Sequence, residues 1–145
     1  MTNDARAKRL RRLALALRLG EVAVRRAAEA HAEAAAMLRD AQAQYAALDQ
    51  AFASASRQLK EARAALRGRV AKSGSTPGLD LSALETLQAA WLAARDACRT
   101  LTQRRLSAAR ALKEAAILCE ERRANLETQS CRLKRIRERA DSPRP

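Results

Sequence analysis

Apolar residues recur every three to four positions along almost the whole chain, and the rhythm is interrupted once. In the first half, positions seven apart read Leu10, Leu17, Val24, His31, Leu38, Tyr45, Phe52, Leu59 and Leu66. A companion row reads Leu13, Gly20, Ala27, Ala34, Ala41, Leu48, Ala55, Ala62 and Arg69. In the second half one row is Leu84, Trp91, Cys98, Arg105, Leu112, Cys119, Leu126, Leu133 and Ala140, and the other is Leu87, Ala94, Leu101, Ala108, Ala115, Arg122, Gln129 and Ile136. A seven-residue repeat sustained this long keeps one stripe of a helix facing a neighbour, and it predicts a left-handed supercoil. The expected fold class is all-α, with two long helices forming an antiparallel coiled-coil hairpin.

The interruption is Ser73-Gly74-Ser75-Thr76-Pro77-Gly78, where Pro-Gly suits the centre of a tight turn. Beyond it, Ser82-Ala83-Leu84-Glu85 matches a capping box, a serine with a glutamate three residues on. At the far end, Asp141-Ser142-Pro143 stops the second helix, because proline disfavours helix in the residue before it. The chain therefore divides into helix 1 over about 3–71, a turn over about 72–82, helix 2 over about 83–140 and a short tail at 141–145.

A short connection after a long helix permits an antiparallel return. If facing residues have numbers that sum to 153, Trp91 meets Ala62, Leu59 meets Ala94, Tyr45 meets Ala108, Leu38 meets Ala115, Leu126 meets Ala27 and Leu133 meets Gly20. Large then faces small in layer after layer, which fills the space between close helices. Two layers break the apolar seam: His31 faces Arg122, and Leu48 faces Arg105. The ordinary expectation is that Arg105 lays its stem across the seam and sends its guanidinium to solvent. The alternative makes His31 with Arg122 a polar layer that fixes register or lets the helices loosen.

Composition agrees with this reading. Apolar content is 48%, yet much of it is alanine, and there is one Trp, one Tyr and one Phe, too few aromatics for a compact core. Cys98, Cys119 and Cys131 form no CxxC pair, so neither a metal site nor an internal disulfide is expected, and an unpaired set suggests a reducing compartment. No apolar run long enough to cross a bilayer is free of arginine, so no membrane insertion is expected. Docking on a membrane surface is also unexpected, because the apolar stripe is already used by the partner helix. No phosphate-binding loop, Ser/His/Asp arrangement or HExxH occurs, and His31 is the single histidine. No enzyme activity, catalytic residue or cofactor is therefore expected.

Charge is the remaining signal, with a net of +13. Residues 1–20 hold Arg6, Lys8, Arg9, Arg11, Arg12 and Arg18 against Asp4 alone. Residues 130–145 hold Arg132, Lys134, Arg135, Arg137, Arg139 and Arg144 against Glu138 and Asp141. A hairpin brings these two segments side by side, as a solvated basic tip or as a surface for a partner with an acidic socket. Nonspecific, salt-sensitive contact with nucleic acid is an alternative, although no aromatic residue interleaves with the basic clusters and no groove-reading motif is present. A generic coiled-coil scaffold is another.

Two long helices, one turn and a basic end made by both termini resemble the flagellar export protein FliJ and its injectisome counterparts of the YscO type. The likeness covers nearly the whole chain and is one of architecture and composition, without a short distinguishing motif. It implies an antiparallel coiled coil similar to the stalk of rotary ATPases, lying at the cytoplasmic face of a type III secretion apparatus and, for an injectisome member, a place in virulence. The joined-termini end would enter the pore of the hexameric secretion ATPase, with Arg6, Lys8, Arg9, Arg11, Arg12, Arg132, Lys134, Arg135, Arg137 and Arg139 as the contacting residues. The export-gate protein would be met by the middle or the turn end, around Tyr45 to Arg57, with secretion chaperones as further partners.

Overall fold

The computed structural model describes residues 2–73 and 81–142. The expected Pro-Gly turn at 74–78 and the stop at Pro143 lie outside the described residues. Two helices make up the described chain: α1, Asn3–Ser73, and α2, Leu81–Asp141. They pack against each other in a helical hairpin.

Local chemistry accounts for the ends that are described. Thr2 stands just ahead of α1, and its Oγ1 accepts the Ala5 N–H at 3.3 Å, while its carbonyl accepts the Arg6 N–H at 3.1 Å. Threonine thus serves one of the donors that the first turn leaves without an intrahelical partner. Asp4 adds a negative charge to the same turn, where the helix dipole favours it. At the other end Arg139 occupies the last turn of α2, where a cation is favoured. Ser82 is the second residue of α2, and its carbonyl accepts the Thr86 hydroxyl at 2.9 Å.

Each helix runs through two compact units, Met1–Asp40 with Lys113–Pro145, and Ala41–Leu112. The first, the terminal unit, is built on close approach. Its buried side chains are Ala27, Ala34 and Leu133. A Cβ placed on Gly20 would stand 3.0 Å from Leu133 Cδ1 and 3.7 Å from Ile136 Cδ1. Glycine is therefore the residue that lets Leu133 lie across α1 at this layer. The contact is also the pairing that the 153 rule assigns to Gly20.

The second, the turn-side unit, buries Ala55 and Cys98 and half-buries Tyr45, Phe52 and Trp91, the chain's three aromatic residues. Here the seam is bounded by arginine. The Arg105 guanidinium lies 4.4 Å from the Phe52 ring centroid, and its Nη2 reaches Asp49 Oδ1 at 2.9 Å. This corrects the expectation that Arg105 points into solvent. The stem does cross the seam, but the head is held between a ring face and a carboxylate. Arg95 sits similarly over Trp91, 5.2 Å from the ring centroid. At the other polar layer, His31 is half-buried and Arg122 is exposed.

All five buried residues fall on the heptad rows, and none of the described polar or charged residues is buried. Three of the five buried residues are alanine, which removes little apolar surface from water, and Leu133 contributes most, about 1.5–3 kcal/mol.

Candidate functional site

Arg6, Lys8, Arg9, Arg11 and Arg12 stand exposed on α1, and Arg132, Lys134, Arg135, Arg137 and Arg139 stand exposed on α2, all within the terminal unit. The segments meet where Gly20 lies against Leu133 and Ile136, and where Arg137 Nη2 reaches Glu21 Oε1 at 3.7 Å. These contacts also set the offset between the clusters. With Gly20 level with Leu133, Arg139 is level with Ala14, and α2 ends at Asp141. Arg6 to Arg12 therefore lie along the part of α1 at and beyond the end of α2. The clusters follow one another along the hairpin instead of facing across it, which separates charges that would otherwise repel. The burial of the seam agrees, since Leu13 is half-buried while Leu10, which heads the other α1 row, is 60% exposed.

Few of these cations are engaged. Lys8 Nζ is 3.2 Å from Asp4 Oδ2, and Arg137 pairs with Glu21. Exposed pairs of this kind contribute between nothing and about 1 kcal/mol. Among the described residues, Arg6, Arg9, Arg11, Arg12, Arg132, Lys134, Arg135 and Arg139 make no ion pair. The result is a row of guanidinium groups, with the Lys134 ammonium among them, whose donors are open to acidic side chains, phosphates or water.

Acidic residues in the same unit do different work. Glu120 Oε1 accepts from Arg123 Nη2 at 2.6 Å and its Oε2 from Arg123 Nε at 3.1 Å, a two-point pair that Glu127 flanks at 3.6 Å. The bonds from Arg123, with its charge, hold the Glu120 carboxyl below its ordinary range and raise the guanidinium in turn. This cluster lies wholly on the surface of α2 and braces one helix.

The turn-side unit carries an open groove of about 440 Å³ lined by Phe52, Leu59, Arg95, Cys98, Arg99 and Thr102 among others. The Thr102 hydroxyl donates to the Cys98 carbonyl at 2.8 Å, so it is turned back onto its own helix. The lining holds no carboxylate or imidazole, which leaves packing and anion contact as its chemistry. Tyr45 and Phe52 are half-buried on the seam, so the surface of this stretch available to a partner comes from residues between them, such as Ala46, Ala47, Gln50 and Ala51. Cys98 is buried, Cys119 half-buried and Cys131 exposed, and all three are free. Among the described residues no group of His, Cys, Asp and Glu is placed to hold a metal ion, and no helix is long and apolar enough to cross a membrane.

Sequence reasoning missed one surface. Leu15, Leu19 and Val22 are exposed by 58, 62 and 39%, on the side of α1 away from the Leu13, Gly20 and Ala27 row. Their spacing of four and three residues was a readable signal, but it is masked by the stronger seam that runs through the same segment. The chain matches no protein-family model, no curated protein and no solved structure.

Proposed function

We propose that the protein is a non-enzymatic stalk or coupling component of a bacterial type III secretion system, an antiparallel coiled coil whose basic joined-termini end seats in the hexameric export ATPase. The observation that carries the reading is the terminal unit. Residues from the two ends of the chain are joined there through Gly20–Leu133 and Glu21–Arg137, and they carry ten exposed basic residues of which only Lys8 and Arg137 are paired. A rod with a cationic end can enter an acidic ring and transmit or bias a change in that ring without performing chemistry itself. The antiparallel reading draws on the same contacts, since residues early in α1 touch residues late in α2 while Asp49 and Phe52 touch Arg105.

The test is affinity purification of the tagged protein from its own cells, with and without nuclease treatment and at about 150 mM salt, where loose electrostatic contacts are largely screened. Recovery of a hexameric secretion ATPase or an export-gate protein supports the proposal. Recovery of nucleoid or ribosomal proteins that disappears with nuclease overturns it in favour of polyanion binding. The paired substitution Arg135→Glu with Arg137→Glu is expected to abolish ATPase recovery and secretion while leaving helicity unchanged.

A further inference from the structure

The exposed stripe on the first part of α1 is a second apolar face, independent of the seam. Leu15 lies two residues on from Leu13, and Val22 two on from Gly20, which turns each about 200° away from the seam row. Leu19 falls between them at helical spacing, so the three side chains form one ridge on the outward face. Basic residues surround it: Lys8 and Arg12 stand on the ridge's line before Leu15, Arg26 follows Val22, and Arg11 and Arg18 flank it. All of these are exposed, and among them only Lys8 is ion-paired. The acidic residues between 3 and 28 are Asp4 and Glu21, and each is paired, with Lys8 and with Arg137.

We propose that this face docks on an anionic lipid surface, with Leu15, Leu19 and Val22 entering the boundary between headgroups and acyl chains, and Arg11, Arg12 and Arg18 reaching lipid phosphates. The ridge is bordered by long cationic side chains, so apolar anchors stand beside groups that attract anionic headgroups, the two contributions that hold a helix in a bilayer interface. The arginine stems can lie along the apolar ridge while their heads reach outward to phosphate. A second copy of the chain is disfavoured as the occupant, because pairing these faces would bring two uncompensated basic segments into contact. A protein helix packed as a third strand would use the groove beside the seam, whereas the ridge points away from it. Arg11 and Arg12 belong to both this surface and the proposed ATPase contact, so the two occupancies exclude each other at those residues. The lipid inference does not rest on the stalk reading.

The experiment is co-sedimentation of the full chain with vesicles of phosphatidylcholine alone and of phosphatidylcholine with phosphatidylglycerol. It compares the parent with the triple substitution Leu15→Gln, Leu19→Gln, Val22→Gln, and with Arg11→Gln, Arg12→Gln, Arg18→Gln. Circular dichroism of each variant checks that both helices persist, which is expected because no substituted residue lies on the seam. Binding confined to the anionic vesicles is expected, falling about tenfold or more in the leucine–valine variant and also in the arginine variant. Equal binding by the parent and the leucine–valine variant would overturn the proposal, since the basic charge alone would then account for it. Failure of the parent to bind anionic vesicles would overturn it too. In that event, saturable binding of an acidic amphipathic peptide lost in the leucine–valine variant would assign the face to a protein.

Discussion

The terminal unit and the turn-side unit are written in one heptad grammar but close their seams by different means. In the terminal unit the solution is subtraction: Gly20 is small enough for Leu133 to approach within van der Waals contact of α1, and Ala27 and Ala34 are buried further along the same row. In the turn-side unit the solution is addition, with Phe52 and Trp91 filling the seam edge and Arg105 and Arg95 laid over their rings. A seam of small residues tolerates neither a hole nor an extra methyl group, because neighbouring backbones are already close. A seam edged by aromatics and arginines is more adaptable, since these long side chains can shift without moving the helices. The region bearing the exposed charge is thus also the one with the tighter geometric constraint.

The sharpest way to break the contrast is to empty the terminal seam. Leu133→Ala removes the largest buried side chain and is expected to cost about 2–5 kcal/mol, read as a fall in urea midpoint. Next comes overpacking. Gly20→Leu forces a side chain into the space of Leu133 Cδ1 and is expected to cost about 1–3 kcal/mol. Gly68, by contrast, has open space where its Cβ would be, so Gly68→Ala is expected to stabilise the protein by about 0.4–1 kcal/mol. The opposite signs at two helical glycines separate close packing from helix propensity.

In the turn-side unit, smaller effects are expected. Asp49→Ala removes the carboxylate from Arg105 and is expected to cost less than about 1 kcal/mol, because Asp49 is more than half exposed. Arg105→Leu is expected to be neutral or mildly stabilising, since the buried Arg105 Nε has no hydrogen-bond partner and an apolar side chain would suit the layer. A strong loss of stability in Arg105→Leu would show that its place over Phe52 matters more than its burial. The smallest effect concerns Glu120. Its folded pKa lies below the unfolded value, so the stabilisation it brings is complete above the ordinary carboxylate range and disappears as pH falls through the folded pKa. Arg123→Ala should flatten that acid limb slightly, by lowering stability a little at neutral pH while leaving it unchanged well below the folded pKa.

How far could the sequence be read? The heptad rows located the seam because burial in a two-helix packing has one dominant cause, the side a residue faces. Ala27, Ala34, Ala55, Cys98 and Leu133 are all on those rows. The partnering of Arg105 was not legible, because periodicity says which residues meet the seam and nothing about where a long side chain turns its head. Asp49 sits immediately after Leu48, the residue that the register places opposite Arg105, and that neighbourhood was the available hint. The offset of the two basic clusters was implicit in the register, since facing numbers summing to 153 leave no α2 residue opposite Arg6. The outward ridge of Leu15, Leu19 and Val22 was hidden for a different reason: a segment apolar on two sides looks, to a single-period reading, like one side written strongly.

The central claim is that the two ends of the chain lie together in a single register, and intramolecular cross-linking tests it most directly. In a background of Cys98→Ser, Cys119→Ser and Cys131→Ser, the pair Ala27→Cys with Leu126→Cys is compared under mild oxidation with Ala27→Cys paired with Leu133→Cys, one heptad away. Disulfide formation requires Cα atoms within about 7 Å, so only the correct register joins efficiently. The expected result is rapid intrachain closure of the Ala27–Leu126 pair and little or none of the other. Preferential closure of the Ala27–Leu133 pair, or cross-links only between separate chains, would contradict the register and with it the joined basic end.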